Sequence, residues 1–466
     1  MLQSSTIAAI STPPGKGGVA VIRISGADAL DIGKKIFKPR YRKSGDFPAR
    51  LQIYGDIISR GEAIDDGLLT FFPAPGSYTG EDTVEISCHG GVLITKTVLE
   101  AAFTAGAVPA GRGEFTRRAF TAGKLSLTET EAIGLLLDAE SDAQIRLTRE
   151  RSRSKLSVAI EDIRSSLVSL LSSVFARIDY PDEDLGDFTD GEVRDMLNVM
   201  IGKMDALLST YKTGHAVTEG IKTVIAGKPN VGKSTLYNLL AGEDAAIVTN
   251  IPGTTRDVLE RSISIGDVML RLCDTAGIRD GEVDPVEAIG IERSRMKLDG
   301  AELILALFDS SCDIDDADLE ILEYIKKLNS AKIAVITKTD VEGNDPEGLA
   351  ERISELCRFD AVISISAKGE EDEARKRLTD TVTKLFTDER ITVGEDAIIA
   401  SARQHASLLR ARDAAKVAKE AIDAGLPQDL AAADIELALG AVGELDGKSV
   451  SESVVQDIFA KFCVGK

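Results

Sequence analysis

Three histidines and five cysteines are all that this 466-residue chain offers to a soft metal. The cysteines (Cys88, Cys273, Cys312, Cys357 and Cys463) are dispersed, and no CxxC pair occurs. That excludes a zinc site, and an odd, scattered set suits a reducing cytoplasm rather than a disulfide framework. Positive charge is also in deficit: 55 Lys and Arg stand against 76 Asp and Glu, a formal net of -21. Such a chain does not grip nucleic acid as a whole, so any RNA contact is local or delegated. The deficit is uneven, because residues 1–120 hold 14 bases against 12 acids and the acid excess lies beyond them. The opening MLQSSTIAAISTPPG has no basic n-region and no long apolar core, so it does not read as a signal peptide. The apolar run Ala301–Phe308 is broken by Glu302 and is far too short to span a bilayer. Tryptophan is absent and aromatics make up 5%. What is present, 43% hydrophobic and 28% charged residues, is the composition of a soluble globular protein. Its length allows two or three domains with real cores.

Residues 1–120 mix short β-type runs with Gly/Pro turns. VAVIRIS (Val19–Ser25), LQIYGDII (Leu51–Ile58) and TVEISCHGG (Thr83–Gly91) read as strands, and Val98–Phe103 as a short helix, giving a compact α+β domain. Helical signals then take over. Thr128 and Glu131 make a capping box. Leu156, Ile160, Ile163, Leu167, Leu170 and Val174 mark one face of a long amphipathic helix, and Leu197, Ile201, Met204, Leu208 and Tyr211 continue the pattern. TGHAVTEG (Thr213–Gly220) reads as a linker. From Ile221 to about Thr387 strands alternate with helices, which predicts a doubly wound parallel sheet. The chain is helical again beyond Thr392, broken at Gly425-Leu-Pro427. The expected organisation is therefore residues 1–120 as an α+β domain, 121–217 and 388–466 as two parts of one helical domain, and 218–387 as an α/β unit inserted into it.

The strongest local signal is Gly227-x-x-x-x-Gly232-Lys233-Ser234, after an apolar strand and before the helical STLYNLL. Its glycines let backbone N–H groups curl around phosphate oxygens. Lys233 places a point charge at the β/γ phosphates, and Ser234 offers a hydroxyl to Mg²⁺. DTAG (Asp274, Thr275, Ala276, Gly277) ends another strand, where a carboxylate reaches Mg²⁺ through water and a glycine N–H meets a γ-phosphate. VITKTD supplies Thr337, Lys338 and Asp340. The Asp340 carboxylate accepts guanine N1–H and the 2-amino group, a pattern adenine lacks. SAK (Ser366, Ala367, Lys368) closes over the base. Four elements in this order at strand ends indicate GTP. Two departures stand out: Thr337 occupies the usual place of asparagine, which weakens a contact to guanine N7, and Ile278 stands where Ras-like enzymes carry a water-orienting glutamine.

Seven stretches in order then carry a resemblance over essentially the whole chain: TIAAISTPPGKGGVAVIRISG, SYTGEDTVEISCHGG, GEFTRRAFTAGKLSLTETEA, GKPNVGKST, TNIPGTTRD, DTAGIRDGEVDPVEAIGIER and the final FCVGK. The chain resembles the MnmE (TrmE) family of tRNA wobble-uridine modification GTPases. That resemblance implies a tetrahydrofolate-binding N-terminal domain, a discontinuous helical domain and an inserted Ras-like P-loop G domain. It implies a homodimer working in the cytoplasm with the flavoprotein MnmG (GidA), as a heterotetramer or larger complex, with tRNA gripped mainly by the partner. The product is an aminomethyl or carboxymethylaminomethyl group on C5 of the wobble uridine, with the one-carbon unit from a 5-formyl or 5,10-methylene folate.

Residue by residue, the resemblance implies that GTP lies against Asn230, Val231, Gly232, Lys233, Ser234 and Thr235. In the switch Thr249, Asn250, Ile251, Pro252, Gly253, Thr254 and Thr255, the carbonyls of Thr249 and Ile251, with Thr254 and Asn230, ligate K⁺, while Thr255 joins Ser234 on Mg²⁺. A monovalent cation there supplies the charge an arginine finger gives elsewhere. Glu287 is implied to orient the attacking water, with Lys233, Thr254 and Thr255 completing the catalytic set; by spacing alone Glu287 reads as a solvated helix-face carboxylate. Arg23, Glu85, Lys124 and Lys466 match the folate pocket, cations for the carboxylate tail and Glu85 for pterin N–H donors; singly, each reads as a surface charge. His89 reads equally as a packed histidine. KKIFKPRYRK (Lys34–Lys43) is more simply a solvated loop than an RNA contact.

FCVGK poses a choice of roles for Cys463. Gly465 and Lys466 fit a prenylation signal poorly. The spacing of Val454, Ile458 and Phe462, and of Val455, Phe459 and Cys463, predicts an amphipathic helix that packs Phe462 with Cys463 beside it, so that Lys466 completes the folate pocket. Two other readings of the chain exist: a GTP-gated RNA or ribosome assembly factor, which calls for a basic appendage where this chain has acidic helices, and a membrane-anchored signalling GTPase.

Overall fold

Alternation along VAVIRIS gives its strand two unlike faces. In the computed structural model, which describes residues 5–41, 46–152, 155–179, 189–241, 261–273, 298–341, 343–366 and 371–465, β2 (Gly17–Ser25) buries Ile22 and Ile24 completely and turns Arg23 to the other side. The chain forms two compact units: Met1–Gly134 with Gly440–Lys466, and Leu135–Leu439.

In the first unit, β1 (Ile7–Ile10), β2, β3 (Phe37–Pro39), β4 (Gln52–Ser59), β5 (Glu62–Phe72), β6 (Thr83–Gly90) and β7 (Val108–Pro109) make one sheet. Its order is β3-β4-β5-β6-β2-β1-β7, antiparallel except for the β1–β7 pair. One face carries Ile22, Ile24, Leu69, Val84 and Ile86 against α1 (Ala29–Ile36) and α2 (Val92–Ala105), with Ile32, Val98 and Ala102. Ile7, Ala9, Ala110 and Phe115 form a second apolar cluster, to which α3 (Glu114–Thr121) contributes Phe115. The strands read from the sequence are present. β1 and β5 were not read, because β1 has only four residues and β5 interrupts its apolar run with Asp65, Asp66 and Gly67.

At α4 (Leu127–Leu137) the capping box lies two residues earlier than expected. Ser126 and Glu129 exchange side-chain bonds with each other's backbone N–H (3.2 and 2.7 Å). Thr128 is fully buried and donates instead to the Leu445 carbonyl, 3.1 Å away.

In the second unit, α5 (Asp142–Ser152), α6 (Lys155–Asp179), α7 (Asp190–Ser209) and α8 (Tyr211–Thr218) precede the inserted sheet. All six apolar positions expected on α6 are buried. On α7 the buried face runs through Val193, Leu197, Met200, Met204 and Leu207, with Ile201 and Leu208 flanking it. TGHAVTEG is not a linker. Its first six residues complete α8, where Thr213, Gly214, Ala216, Val217 and Thr218 are buried. Gly214 passes so close to the Ile399 carbonyl that a Cβ would stand 2.0 Å from it, and that contact overrides glycine's poor helix propensity.

The sheet that follows comprises β8 (Ile221–Ala226), β9 (Arg261–Ile265), β10 (Val268–Leu272), β11 (Leu303–Asp309), β12 (Ala331–Thr337) and β13 (Ala361–Ser364), in the order β13-β12-β11-β8-β10-β9. Only the β9–β10 hairpin is antiparallel. Both faces of β11 are buried, as its unbroken apolar run requires of a central parallel strand. α9 (Lys233–Ala241), α10 (Asp316–Ile325), α11 (Pro346–Leu356) and α12 (Glu371–Phe386) accompany it. Helices α13 (Ala402–Asp423) and α14 (Gln428–Asp446) follow, separated at Gly425-Leu-Pro427 as read. Small residues Ala411, Ala415 and Ala418, fully buried on α13, let α7 pack closely against it.

Candidate functional site

The phosphate-type loop joins β8 to α9. Gly227 (φ +156°), Asn230 (φ +61°) and Gly232 (φ +105°) take backbone angles that curl the chain back on itself before the helix begins. A Cβ on Gly227 would stand 2.8 Å from the Val231 side chain and 3.0 Å from the Leu307 carbonyl, so the turn closes only with glycine. Lys233 arches over the loop, its Nζ donating to the carbonyls of Gly227 (2.6 Å) and Lys228 (3.0 Å), and burial lowers its pKa. Ser234 and Thr235 stand exposed at the start of α9, where backbone N–H groups face outward.

The Thr337–Asp340 loop is fastened to this one. At the end of β12, the buried Thr337 hydroxyl lies 2.7 Å from the Val231 carbonyl and 3.1 Å from that of Phe308. Ser310 donates to the carbonyl of Thr337, and Asn344 donates to that of Lys338, which takes φ +57°. The Lys338 ammonium pairs with Asp309 at 2.5 Å. Burial pushes the Asp309 carboxyl up, but hydrogen bonds from Lys338 and Ser311 outweigh it and hold the group below the usual range. Asp340 stays exposed, with no hydrogen-bond partner among the described residues. Lys228 is held at 2.8 Å by both Asp315 and Asp318 at the capping box of α10. Burial opposes its charge, yet those two carboxylates raise its pKa. Ser366 is buried at the exit of β13. Thr249–Thr255, Asp274–Gly277, Ile278, Glu287, Ala367, Lys368 and Lys466 lie outside the described residues. Sequence reading missed Asp309, Ser310 and Asn344. Only the position of Asp309 and Ser310 at a strand end hinted at them.

The first unit carries a second constellation. Cross-strand pairing sets Arg23 of β2 opposite Glu85 of β6, with Nε 2.9 Å and Nη2 2.8 Å from Glu85 Oε1. Its guanidinium lies 5.2 Å from the Tyr78 ring centre and 5.6 Å from that of Phe115. Both Arg23 contacts fall on Oε1, so Oε2 keeps its lone pairs among the described residues. Lys124 reaches the same Tyr78 loop, donating to the carbonyls of Pro75 (3.0 Å) and Ser77.

The FCVG stretch belongs to this unit. Val455 and Phe459 of α15 (Glu452–Ala460), with Phe462 just beyond its end, form a buried cluster joined by Phe120 and Ile133. The Gly113 N–H donates to the Cys463 carbonyl (3.3 Å), Val464 bridges Arg112, and Ser11 Oγ donates to the Gly465 carbonyl (3.1 Å). Gly465 thus lies beside Ile10, whose neighbour Ala9 pairs with Arg23. One expectation is corrected: Cys463 is exposed, because the chain turns into the Arg112 bridge after Phe462 and carries its side chain off the helix face. His89 is likewise exposed rather than packed; its Nδ1 lies 2.7 Å from Asp65, and that hydrogen bond raises its pKa. KKIFKPRYRK is not the solvated loop expected: Lys34–Ile36 end α1 and Phe37–Pro39 form β3, because Ile36 and Phe37 pack into the core, while Lys34 and Arg40 pair with Asp31 and Asp56.

Two family descriptions match the chain: the MnmE helical domain over residues 127–463 and the GTP-binding protein TrmE N-terminus over residues 6–124. The chain belongs to the MnmE family. Among curated relatives, the tRNA modification GTPase MnmE of Natranaerobius thermophilus is 39% identical over 100% of both chains. That of Clostridioides difficile is 36% identical over 100% of both. That of Thermotoga petrophila is 39% identical over 99% of this chain and 100% of its own. The MnmE fold, an α+β N-terminal domain with helices and a G domain, is the one described above. Among the described residues no helix is long and apolar enough to cross a membrane.

Proposed function

We propose that the chain is a potassium-activated GTPase that acts with a flavoprotein partner to place an aminomethyl or carboxymethylaminomethyl group on C5 of the wobble uridine of certain tRNAs. Membership of a family whose relatives are named tRNA modification GTPases supports the tRNA-modifying GTPase reading. The observation that supports the GTP half is the Thr337–Val231 hydrogen bond, which ties the glycine-rich loop to the Thr337–Asp340 loop.

The positive-φ loop at the start of α9 suits phosphate oxygens, and the exposed Ser234 hydroxyl suits Mg²⁺, with Thr255 as the other protein ligand. Asn230, with Thr249, Ile251 and Thr254, would hold K⁺, which when bound supplies positive charge at the β/γ bridge. Lys233 orients the phosphates, Asp340 accepts the guanine N1–H and 2-amino protons, and Glu287 holds the attacking water in line.

A reduced folate, in its 5-formyl or 5,10-methylene form, would sit in the first unit and supply the one-carbon unit. The residues there suit it: Glu85 Oε2 has room for a pterin N–H, and Lys124 and Lys466 offer charge to a glutamate tail. Homodimerisation, the MnmG-type partner and cytoplasmic work belong to the same reading. The test is reconstitution. Undermodified tRNA, the chain, the flavoprotein, GTP and a one-carbon folate are combined, and the wobble nucleoside is weighed by mass spectrometry. A mass gain that requires both proteins and GTP supports the reading, and a nucleoside unchanged in every combination overturns it.

A further inference from the structure

We propose that this GTPase reads guanine without using its N7, because the residue at the N7 position has no proton to give. The proposal rests on the GTP-binding reading above and concerns which edge of the base that site recognises. Thr337 has one hydroxyl proton. Its Oγ1 donates toward the Val231 carbonyl at 2.7 Å, with the Phe308 carbonyl at 3.1 Å, so its one proton is already committed to the protein. The residue is buried, so no rotation brings the proton to a ligand without stranding the Val231 carbonyl, and Val231 is itself buried. Guanine N7 is an acceptor, and the lone pairs left on Oγ1 cannot bond to it. An asparagine amide carries two N–H groups at this place, enough for one carbonyl and one base nitrogen together. Threonine keeps the loop-to-loop tether and gives up the base contact.

Among the described residues, the neighbouring donors of this loop are engaged elsewhere. Lys338 spends its ammonium on Asp309, and Asn344 gives its amide to Ser310 and the Lys338 carbonyl. Base selection then rests on the opposite edge, where Asp340 meets N1–H and the 2-amino group. Thr337 is therefore a positioning residue: it holds Asp340 in register with the phosphate loop through Val231.

The experiment compares GDP with 7-deaza-GDP, in which N7 is replaced by C–H, by calorimetric titration of the full chain. The expected result is dissociation constants equal within about twofold. Thr337→Asn should tighten GDP relative to the 7-deaza form by about fivefold or more, and Thr337→Val should weaken both equally while their ratio stays near one. A wild-type preference for GDP of fivefold or more overturns the inference while leaving the GTPase reading intact. A chain that binds ADP as well as it binds GDP overturns that reading, and the inference with it.

Discussion

Gly465→Ala tests the seam between the FCVG stretch and β1 with a single methyl group. Gly465 has φ +101°, and a Cβ built on it would stand 2.1 Å from the Ile10 carbonyl oxygen, against a practical minimum of 3.0 Å. The obstacle is backbone within a paired strand, so it cannot swing aside. The left-handed conformation alone costs alanine roughly 1–2 kcal/mol, and the overlap adds to that. Opposing it are the Ser11 bond to Gly465 and the Gly113 bond to Cys463, each contributing about 1 kcal/mol net. Strain therefore equals or exceeds what holds the segment down, and Val464 to Lys466 should lift away. Phe459 and Phe462 stay buried, which caps the loss of global stability at about 2–3 kcal/mol. If Lys466 serves the folate, affinity for a reduced folate in calorimetric titration should fall about tenfold or more, which corresponds to ~1.4 kcal/mol or more. GTP turnover should remain within about twofold, because the G domain lies in the other unit. Normal folate affinity in the variant would refute the assignment of the pocket to this seam.

GTP turnover should be much faster in KCl than in NaCl at equal ionic strength, and equal rates would remove the K⁺ site from the switch. Glu287→Ala should leave GDP affinity near that of the parent and lower turnover by about 10²-fold, measured by phosphate release. Asp340→Asn should shift preference from guanosine to xanthosine nucleotides in competition binding, since an amide can donate to the xanthine 2-oxo group. His215 on α8 lies 3.0 Å from Glu302, with Glu219 and Arg271 nearby; the hydrogen bond to Glu302 raises its pKa above the usual histidine value and depresses that of Glu302. The imidazolium form is thus the stabilising one. Its contribution is complete below the unfolded value and fades as pH climbs through the raised one, so Tm should drop on going from about pH 6 to pH 8. His215→Gln should flatten that slope, as read by thermal melts.

The nucleotide site was legible because phosphate binding demands glycines, lysine and a hydroxyl at fixed spacing, and local backbone geometry dictates each. The long apolar stripe of α6 was legible for the same reason, since period and burial coincide. The capping box was misplaced because Ser126/Glu129 and Thr128/Glu131 both satisfy the pattern, and only the Leu445 carbonyl selects between them. TGHAVTEG resembled a linker because its glycines suggest a break, whereas Gly214 is there for a backbone crossing that sequence does not reveal. The exposure of Cys463 was hidden for a similar reason: helical spacing was extended past Ala460, where pairing with Arg112 takes over.

Because the seam with Ser11 and Gly113 belongs to the unit that is translated first, order of synthesis and order of completion diverge. The β1–β7 sheet leaves the ribosome early, yet its FCVG strap is made only after everything from Leu135 to Leu439 has been polymerised. A nascent chain would carry a folded G domain before its own N-terminal domain is closed. Any message cut short just beyond Gly440 would then yield a chain with its G domain complete but without the strap that closes the N-terminal domain.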